Sequence, residues 1–226
     1  MSSEFYHEYP KFHVAVDCII FGFQRGQLKV LLQQRPFEPH AGEWSLMGGF
    51  VMEDEDLDHA TARVLTNLTG LKEVYMRQVG AFGSVHRDSG DRVVSVAYFA
   101  LLDIDRIDSD LNRNHSAYWE DINQLPPLLF DHEEMVRQAY RQLRGAVSRY
   151  PIGFQLLPPL FTLTQLQSLY EAITGETIDK RNFRKRIAEM PFIEKTEEVE
   201  RKTSKRGAAL YQFNYEKYEQ GGHFKL

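Results

Sequence analysis

The first part of the chain alternates between strand-like and helix-like patterns of hydrophobic and polar positions. The apolar run FHVAVDCIIFG predicts a strand, GFQRGQ a turn, and LKVLLQQR the returning strand. Within residues 56–69 apolar side chains recur at spacings of three and four, which indicates a helix that ends at Gly70. EVYMRQVGAFGSV and DRVVSVAYFALLD then predict two strands around the polar turn HRDSG. This alternation predicts a mixed domain of strands and helices.

A second helix and a proline-rich segment end this first part. The pattern predicts a helix at residues 131–149 with Asp131 as its N-cap. The segment RYPIGFQLLPPLFT follows, and its prolines and glycine are typical of a domain boundary. We therefore expect one domain at residues 1–150 and a second at residues 151–226.

The second domain has a different order of elements. LTQLQSLYEAITG and ETIDKRNFRKRIAEM predict two helices. FIEKTEEVERKT and AALYQFNYEKY predict two strands around the turn SKRG. The whole chain is thus expected to be of the α+β class.

Composition and charge add few constraints. The chain is 42% hydrophobic and 26% charged with a net charge of −5, which is ordinary for a globular protein and gives no global attraction to nucleic acid or membrane. Its one cysteine, Cys18, lies in an apolar run and is expected in the core. We see no leader peptide and no apolar run of membrane-spanning length, so we expect a cytoplasmic protein.

The segment from Trp44 to Leu71 resembles the Nudix box and its lead-in. Gly48 and Gly49 follow Trp44, although Met47 stands where proline is usual. The residues that fall on the box pattern are Gly49, Glu55, Arg63, Leu65, Gly70 and Leu71. The resemblance covers roughly residues 10–149 and implies a Nudix-like α/β/α sandwich.

The three helical glutamates of the box are replaced by Val64, Asn67 and Leu68. In a Nudix hydrolase these positions share one helix face and present carboxylates to magnesium, a hard cation that prefers oxygen ligands. Valine and leucine have no such ligand atom. The acidic residues around Glu55 complement the positive end of the helix dipole rather than replace the site. We therefore predict no catalytic residues, no metal site and no cofactor.

A fold that has lost its metal site can keep its cleft for binding a ligand. The candidates that would line it have polar or aromatic side chains near the box helix: Gln33, Arg35, Trp44, Glu55 and His86. Three of them have a simpler interpretation: Arg35 as a surface ion pair, Trp44 as core, and His86 as a polar turn residue. Together they would suit a polar, uncharged or weakly charged ligand.

The second domain carries clustered positive charge. Residues 151–226 have a balance of +2, against −7 for the rest of the chain. On the second helix of this domain, Ile178, Phe183, Ile187 and Met190 fit an inward face, and the basic residues fit the outward face.

This arrangement is that of a winged helix-turn-helix domain, in which one helix enters the major groove of DNA and the wing contacts the backbone. The candidate DNA-binding residues lie on the helix and at the tip of the wing: Lys180, Arg181, Asn182, Arg184, Lys185, Lys202, Thr203, Ser204, Lys205 and Arg206. The alternative is a solvated basic face.

A Nudix-like domain without its glutamates, followed by a winged helix, is similar to the Nudix-related transcriptional regulators. That resemblance implies a homodimer on palindromic double-stranded operator DNA and a small-molecule effector. One branch of these regulators responds to ADP-ribose-like nucleotides and another to arabinose. Because the box cannot hold a magnesium-bridged pyrophosphate, we predict the sugar L-arabinose, with ADP-ribose as the alternative.

Two other classes of function stay open. The first is a Nudix hydrolase with an atypical metal site. The second is an interaction module whose basic face meets an acidic protein.

Overall fold

The computed structural model describes residues 7–107, 115–201 and 207–224, apart from the side chain of Arg106. Its first part contains seven described strands and two described α-helices. The strands are β1 (His13–Gln24), β2 (Gln27–Gln34), β3 (Trp44–Ser45), β4 (Met47–Phe50), β5 (Tyr75–Phe82), β6 (Val93–Asp103) and β7 (Ala117–Asp121). The helices are α1 (Leu57–Thr69) and α2 (His132–Val147).

The strands form one mixed sheet between the two helices. Its order is β3-β2-β1-β6-β5, with β4 added to β1 and β7 added to β2. The central strands β1 and β6 run parallel, and β1 is antiparallel to β2. The sequence missed β3, β4 and β7, because these short strands lie in segments with mixed polar and apolar residues.

The two faces of β1 explain the sandwich. Val16, Cys18 and Ile20 are buried against the apolar face of α1. Ile19 and Phe21 are buried against α2 on the other side. Side chains of a strand alternate between the faces of its sheet, so a strand covered by helices on both sides is apolar nearly throughout. The Nudix-like α/β/α sandwich is confirmed, and so is the core position of Cys18.

Helix α1 begins and ends as its sequence indicates. The side chain of Asp56 accepts a hydrogen bond from the His59 amide at 2.8 Å. Gly70 closes the helix with a positive φ of 72°, and its amide donates to the Thr66 carbonyl. Of the predicted acidic cluster, Asp56 thus serves as the helix cap.

The second part is a winged helix fold. Its elements are β8 (Phe161–Thr162), α3 (Leu163–Thr174), α4 (Lys180–Ala188), β9 (Ile193–Glu200), β10 (Ala208–Phe213) and α5 (Tyr215–Glu219). The strands form a sheet in the order β8-β10-β9. The predicted last strand was too long: β10 stops at Phe213, because the Asn214 side chain accepts from the Lys217 amide at 3.0 Å and starts α5.

The proline-rich joint is packed into the interior. Pro151–Leu156 forms a 3-10 helix whose Phe154 and Leu156 are buried. One continuous hydrophobic cluster joins Ile19 and Phe21 of the sheet to Leu169 and Phe183 of the winged helix. The two domains are therefore docked on each other through apolar side chains.

Among the described residues, no helix combines the length and the apolar character that crossing a bilayer requires.

Candidate functional site

A small cleft lies beside α1, where the Nudix box glutamates would stand. Its volume is about 200 Å³, and its lining residues are Gln33, Met47, Gly48, Arg63, Val64, Asn67, Leu68 and His115. Val64, Asn67 and Leu68 face the cleft together, as their spacing predicts. Val64 and Leu68 are each only 8% exposed and also pack in the core beneath α1.

The donor set of this cleft does not fit a divalent cation. Of the three replaced positions, Asn67 alone carries an oxygen, and it is neutral. Within residues 7–107, 115–201 and 207–224, no group of three or more His, Cys, Asp or Glu side chains could hold a metal ion. Magnesium requires several oxygen ligands in near-octahedral geometry, so these residues do not make a magnesium site.

Glu55, the box glutamate that is retained, is occupied by Arg63. The Arg63 Nε atom donates to Glu55 Oε2 at 2.9 Å, and a second guanidinium nitrogen donates to Oε1 at 2.5 Å. Glu55 Oε1 also accepts from the Met52 amide at 2.9 Å. The hydrogen bonds from Arg63 lower the pKa of Glu55 to about 2. The pair ties the loop before α1 to the helix. Arg63 lines the cleft, and Glu55 lies behind it as its hydrogen-bond partner.

The structure brings some of the predicted ligand residues together and separates others. Gln33 lines the cleft and donates to the His115 carbonyl at 2.9 Å. Arg35 donates to the Pro39 carbonyl at 3.1 Å, and its guanidinium lies 4.6 Å from the centre of the Phe37 ring. Gln33 thus lines the cleft and Glu55 is bonded to the cleft residue Arg63, whereas Arg35 belongs to the loop that follows β2.

The two remaining ligand candidates lie away from the cleft lining. Trp44 is partly buried and meets Tyr118 edge to face, with ring centres 5.4 Å apart. His86 is exposed in the turn between β5 and β6. Trp44 thus packs beside the core and His86 lies in a turn, and their role as ligand residues stays a prediction.

Sequence reasoning missed a buried charged network on the other face of the sheet. Asp17, on β1, accepts from Ser95 at 2.5 Å and lies 3.6 Å from both Arg87 and His132. Arg87 also forms two hydrogen bonds to Asp131 from its Nε atom and one of 2.8 Å from Nη2. In the sequence, the one indication of this network is Asp17, a charged residue within the apolar run VAVDCIIF.

This network changes the role of Asp131 and fixes the state of His132. The carboxylate of Asp131 makes no side-chain cap to α2, because it is paired with Arg87. Burial lowers the pKa of His132, and its Nδ1 atom accepts from the Leu46 amide at 3.1 Å. His132 is therefore neutral. Buried charges need such pairing, since an isolated one is strongly destabilising.

Gly48 links the cleft to this network. It lies opposite Asp17 in the β1–β4 pair, and a Cβ atom at this position would collide with the Asp17 carboxylate. Gly48, the first glycine of the Gly48-Gly49 pair in the box lead-in, thus leaves space for the charged network behind the cleft wall.

Helix α4 presents its basic residues to solvent, as its sequence indicates. Phe183, Ile187 and Met190 are buried. The exposed side chains are Lys180, Arg181, Asn182, Arg184, Lys185, Arg186 and Ala188. Asp179 caps the helix by accepting from the Asn182 amide at 2.8 Å. The predicted wing contacts, Lys202, Thr203, Ser204, Lys205 and Arg206, lie outside the described residues.

A larger cleft of about 1390 Å³ separates α4 and the sheet of the winged helix from the β1–β2 turn. Arg184 lines it from the winged helix and Arg25 from the turn. Of the five predicted DNA-binding residues on α4, Arg184 is the one that borders this cleft.

Comparison with known proteins assigns both domains. Residues 11–143 match the model of the NUDIX domain, and residues 153–213 match that of the NrtR DNA-binding winged helix domain. The chain is 35% identical over 216 residues to the ADPR responsive transcriptional repressor NtrR of Acinetobacter baylyi, an alignment that covers 94% of this chain and 86% of the relative.

Solved structures agree with this assignment. Shewanella oneidensis NrtR, crystallised with a 27mer DNA, superposes with a TM-score of 0.82 at 29% identity, covering 93% of this chain and 97% of the other. The NUDIX domain of the same protein with ADP ribose gives a TM-score of 0.51 at 29% identity, covering 63% and 99%. The chain therefore belongs to the family of proteins that join a Nudix domain to an NrtR-type DNA-binding winged helix domain.

Proposed function

We propose that the chain is a transcriptional repressor that binds operator DNA through its winged helix and responds to ADP-ribose through its Nudix domain. The observation that carries the proposal is the joint arrangement of the two parts. An exposed basic helix of a DNA-binding fold is docked on a Nudix domain whose cleft has Val64 and Leu68 in place of carboxylates. The similarity to the repressor of Acinetobacter baylyi spans both parts and supports this reading.

ADP-ribose replaces L-arabinose as the proposed effector. The comparisons give the sugar no support, whereas a related repressor is named for its response to ADPR and a related Nudix domain was crystallised with ADP ribose. The inference from the missing glutamates was too strong, because a nucleotide can bind without a metal ion. The cleft of about 200 Å³ is smaller than the roughly 300–1,000 Å³ of usual ligand pockets. ADP-ribose would therefore extend beyond it over exposed residues.

Thermal unfolding tests the choice of effector. A ligand that binds the folded state stabilises it by RT ln(1 + [L]/Kd). We expect a rise in Tm that grows with ADP-ribose concentration and no rise with L-arabinose over the same range. Asn67→Ala, which alters an exposed residue of the cleft, should reduce the rise, and Gln78→Ala on the far edge strand serves as its control. A rise with the sugar alone would restore the first prediction.

We assign DNA contact to the exposed basic face of α4. Lys180, Arg181, Asn182, Arg184 and Lys185 would enter the major groove, the wing residues 202–206 would contact phosphates, and a homodimer would span two half-sites. In fluorescence anisotropy with duplexes from upstream of its own operon, we expect Arg181→Ala with Arg184→Ala to weaken selective binding. Lys205→Ala with Arg206→Ala should weaken binding to all duplexes alike and lower the salt dependence.

The matched control for these variants is Lys72→Ala with Arg77→Ala, which removes two exposed basic residues from the Nudix domain. Operator binding that is equal in the parent and in both winged-helix variants contradicts the assignment. Absence of DNA binding even at low salt would favour an acidic protein partner for the basic face.

We further propose that the Nudix domain does not hydrolyse ADP-ribose. The donor set around Val64, Asn67 and Leu68 supports this, since it lacks the oxygen ligands that magnesium-assisted pyrophosphate cleavage requires. Incubation with ADP-ribose and magnesium, followed by chromatography, should show no AMP above the no-protein control. Steady magnesium-dependent release of AMP would establish the hydrolase instead.

A further inference from the structure

Helix α2 of the Nudix domain contacts the end of the first helix of the winged helix domain. The Tyr140 hydroxyl donates to the Ile173 carbonyl at 3.0 Å. The Arg144 guanidinium donates to the Thr174 carbonyl at 2.5 Å. Both donors lie on the C-terminal half of α2, and both acceptors are the last carbonyls of α3.

These carbonyls need an outside partner. The last four carbonyls of an α-helix have no partner within the helix, and a cation near them is favoured by the helix dipole. Tyr140 and Arg144 supply a hydroxyl and a guanidinium from another domain. The end of α3 is thus held by side chains of the Nudix domain.

Other side chains of α3 in turn hold the segment before the DNA-facing helix. Gln167 donates to the Ile178 carbonyl at 2.9 Å, and Glu171 accepts from the Ile178 amide at 2.9 Å. Gly175 makes the turn with a positive φ of 73°. Residues of α3 therefore hold the segment that leads directly into α4, so a change in α3 is passed to α4.

The opposite end of α2 is bonded to the wall of the effector cleft. His132 accepts from the amide of Leu46, which precedes the cleft residues Met47 and Gly48. The Leu129 amide, just before the helix, donates to the Trp44 carbonyl at 2.9 Å. A helix of 16 residues is about 24 Å long, so α2 spans the distance from the cleft wall to the winged helix as one rigid element.

We infer that Tyr140 and Arg144 are positioning residues through which α2 passes the state of the effector cleft to the DNA-facing helix. The inference rests on the proposed function. A ligand that moves the Met47–Gly48 wall moves His132 with it, and the two bonds at the other end of α2 carry that movement to α3 and α4.

The test is the double variant Tyr140→Phe with Arg144→Met. It removes both donors and leaves the apolar packing between the domains, so the protein should fold. For the parent, we expect saturating ADP-ribose to change the operator Kd by a factor of about 5–150, the usual range of allosteric coupling. For the variant, we expect that factor to fall below about 3, while calorimetric titration shows an unchanged Kd for ADP-ribose itself.

Two further variants separate coupling from general damage. Arg144→Lys with Tyr140 intact keeps both donors and should restore the effect. Arg141→Gln removes an arginine of the same helix that pairs with Glu134 and should respond like the parent. In hydrogen exchange, ADP-ribose should change the protection of residues 175–190 in the parent and not in the double variant.

The outcomes distinguish this inference from the proposed function. If the parent binds no operator, or ADP-ribose leaves its operator affinity unchanged, the proposed function fails. If the parent responds and the double variant responds by the same factor, the repressor stands and the role of Tyr140 and Arg144 is overturned.

Discussion

At the scale of single residues, the Nudix box keeps the side chains that the fold needs and lacks those that would bind a metal ion. Val64 and Leu68 keep the apolar packing of α1 while they remove the carboxylates of the Nudix box. Glu55 and Arg63 are retained, and their ion pair ties the preceding loop to the helix. The residues that shape the fold are therefore present, and those that would hold a metal are replaced.

The buried His132 makes stability depend on pH. Burial lowers its pKa below the ordinary value of 6.5, so the folded protein resists a proton that the unfolded chain accepts. The free energy of unfolding should therefore fall as the pH drops below about 6.5, until the folded-state pKa is passed. The ionisable groups that act on the ring are Asp17, Arg87, Asp131 and Arg35.

Thermal unfolding of the parent and of His132→Asn between pH 7.5 and 5.5 measures this effect. Asparagine offers an amide oxygen to the Leu46 amide and cannot be protonated in this range. We expect the difference in stability between the two proteins to shrink as the pH falls. A difference that stays constant across the range would show that His132 does not titrate as described.

At the scale of the elements, caps explain which boundaries were predictable. Local capping residues mark these helix ends: Asp56 and Gly70 bound α1, and Asp179 precedes α4. The predicted ends of both helices agree with the structure to within a few residues. The Arg87–Asp131 pair joins residues 44 positions apart, and β7 pairs with a strand far back in the chain. Such long-range partners have no periodic signal in the sequence.

The residues of the candidate cleft could likewise be predicted only in part. The spacing of Val64, Asn67 and Leu68 was sufficient to place them on one helix face. His115 enters the cleft from a distant segment, and its carbonyl meets Gln33 across the sheet edge. Trp44 and His86 were chosen by residue type, and neither lines this cleft, so their role in ligand binding stays a prediction.

The N-terminal cap of α3 provides a prediction at this scale. Thr162 accepts from the Gln165 amide, and the Gln165 side chain accepts from the Thr162 amide, which together form a capping box. Thr162→Ala should lower the free energy of unfolding by about 1 kcal/mol. Denaturant unfolding measures it, with Thr164→Ala, an exposed residue of the same turn, as the control. Equal stability of Thr162→Ala and the parent would contradict the role of the cap.

At the scale of the whole molecule, the two domains share one hydrophobic cluster. The ring of Phe154 in the joint packs against that of Phe213 with ring centres 4.5 Å apart, and Ile19 and Phe21 belong to the same cluster as Phe183. Domains joined by a small polar interface move independently, whereas a large apolar interface couples them. The winged helix should therefore respond to events in the Nudix domain as part of one body.

Calorimetry tests this coupling directly. We expect one unfolding transition whose calorimetric and van't Hoff enthalpies agree. Phe154→Ala should weaken the shared core and split or broaden the transition, while Phe37→Ala, which alters an exposed ring, should not. Two separate transitions in the parent would show that the domains unfold independently.

The measurement that tests the central claim most directly is a titration of ADP-ribose into the preformed complex of the protein with a fluorescent operator duplex. Anisotropy at constant, physiological salt reports the fraction of DNA bound. The proposed repressor predicts that ADP-ribose changes the operator Kd by at least about fivefold and that L-arabinose leaves it unchanged. Selective operator binding that ADP-ribose does not alter, at concentrations that saturate the protein in calorimetry, would contradict an ADP-ribose-responsive repressor.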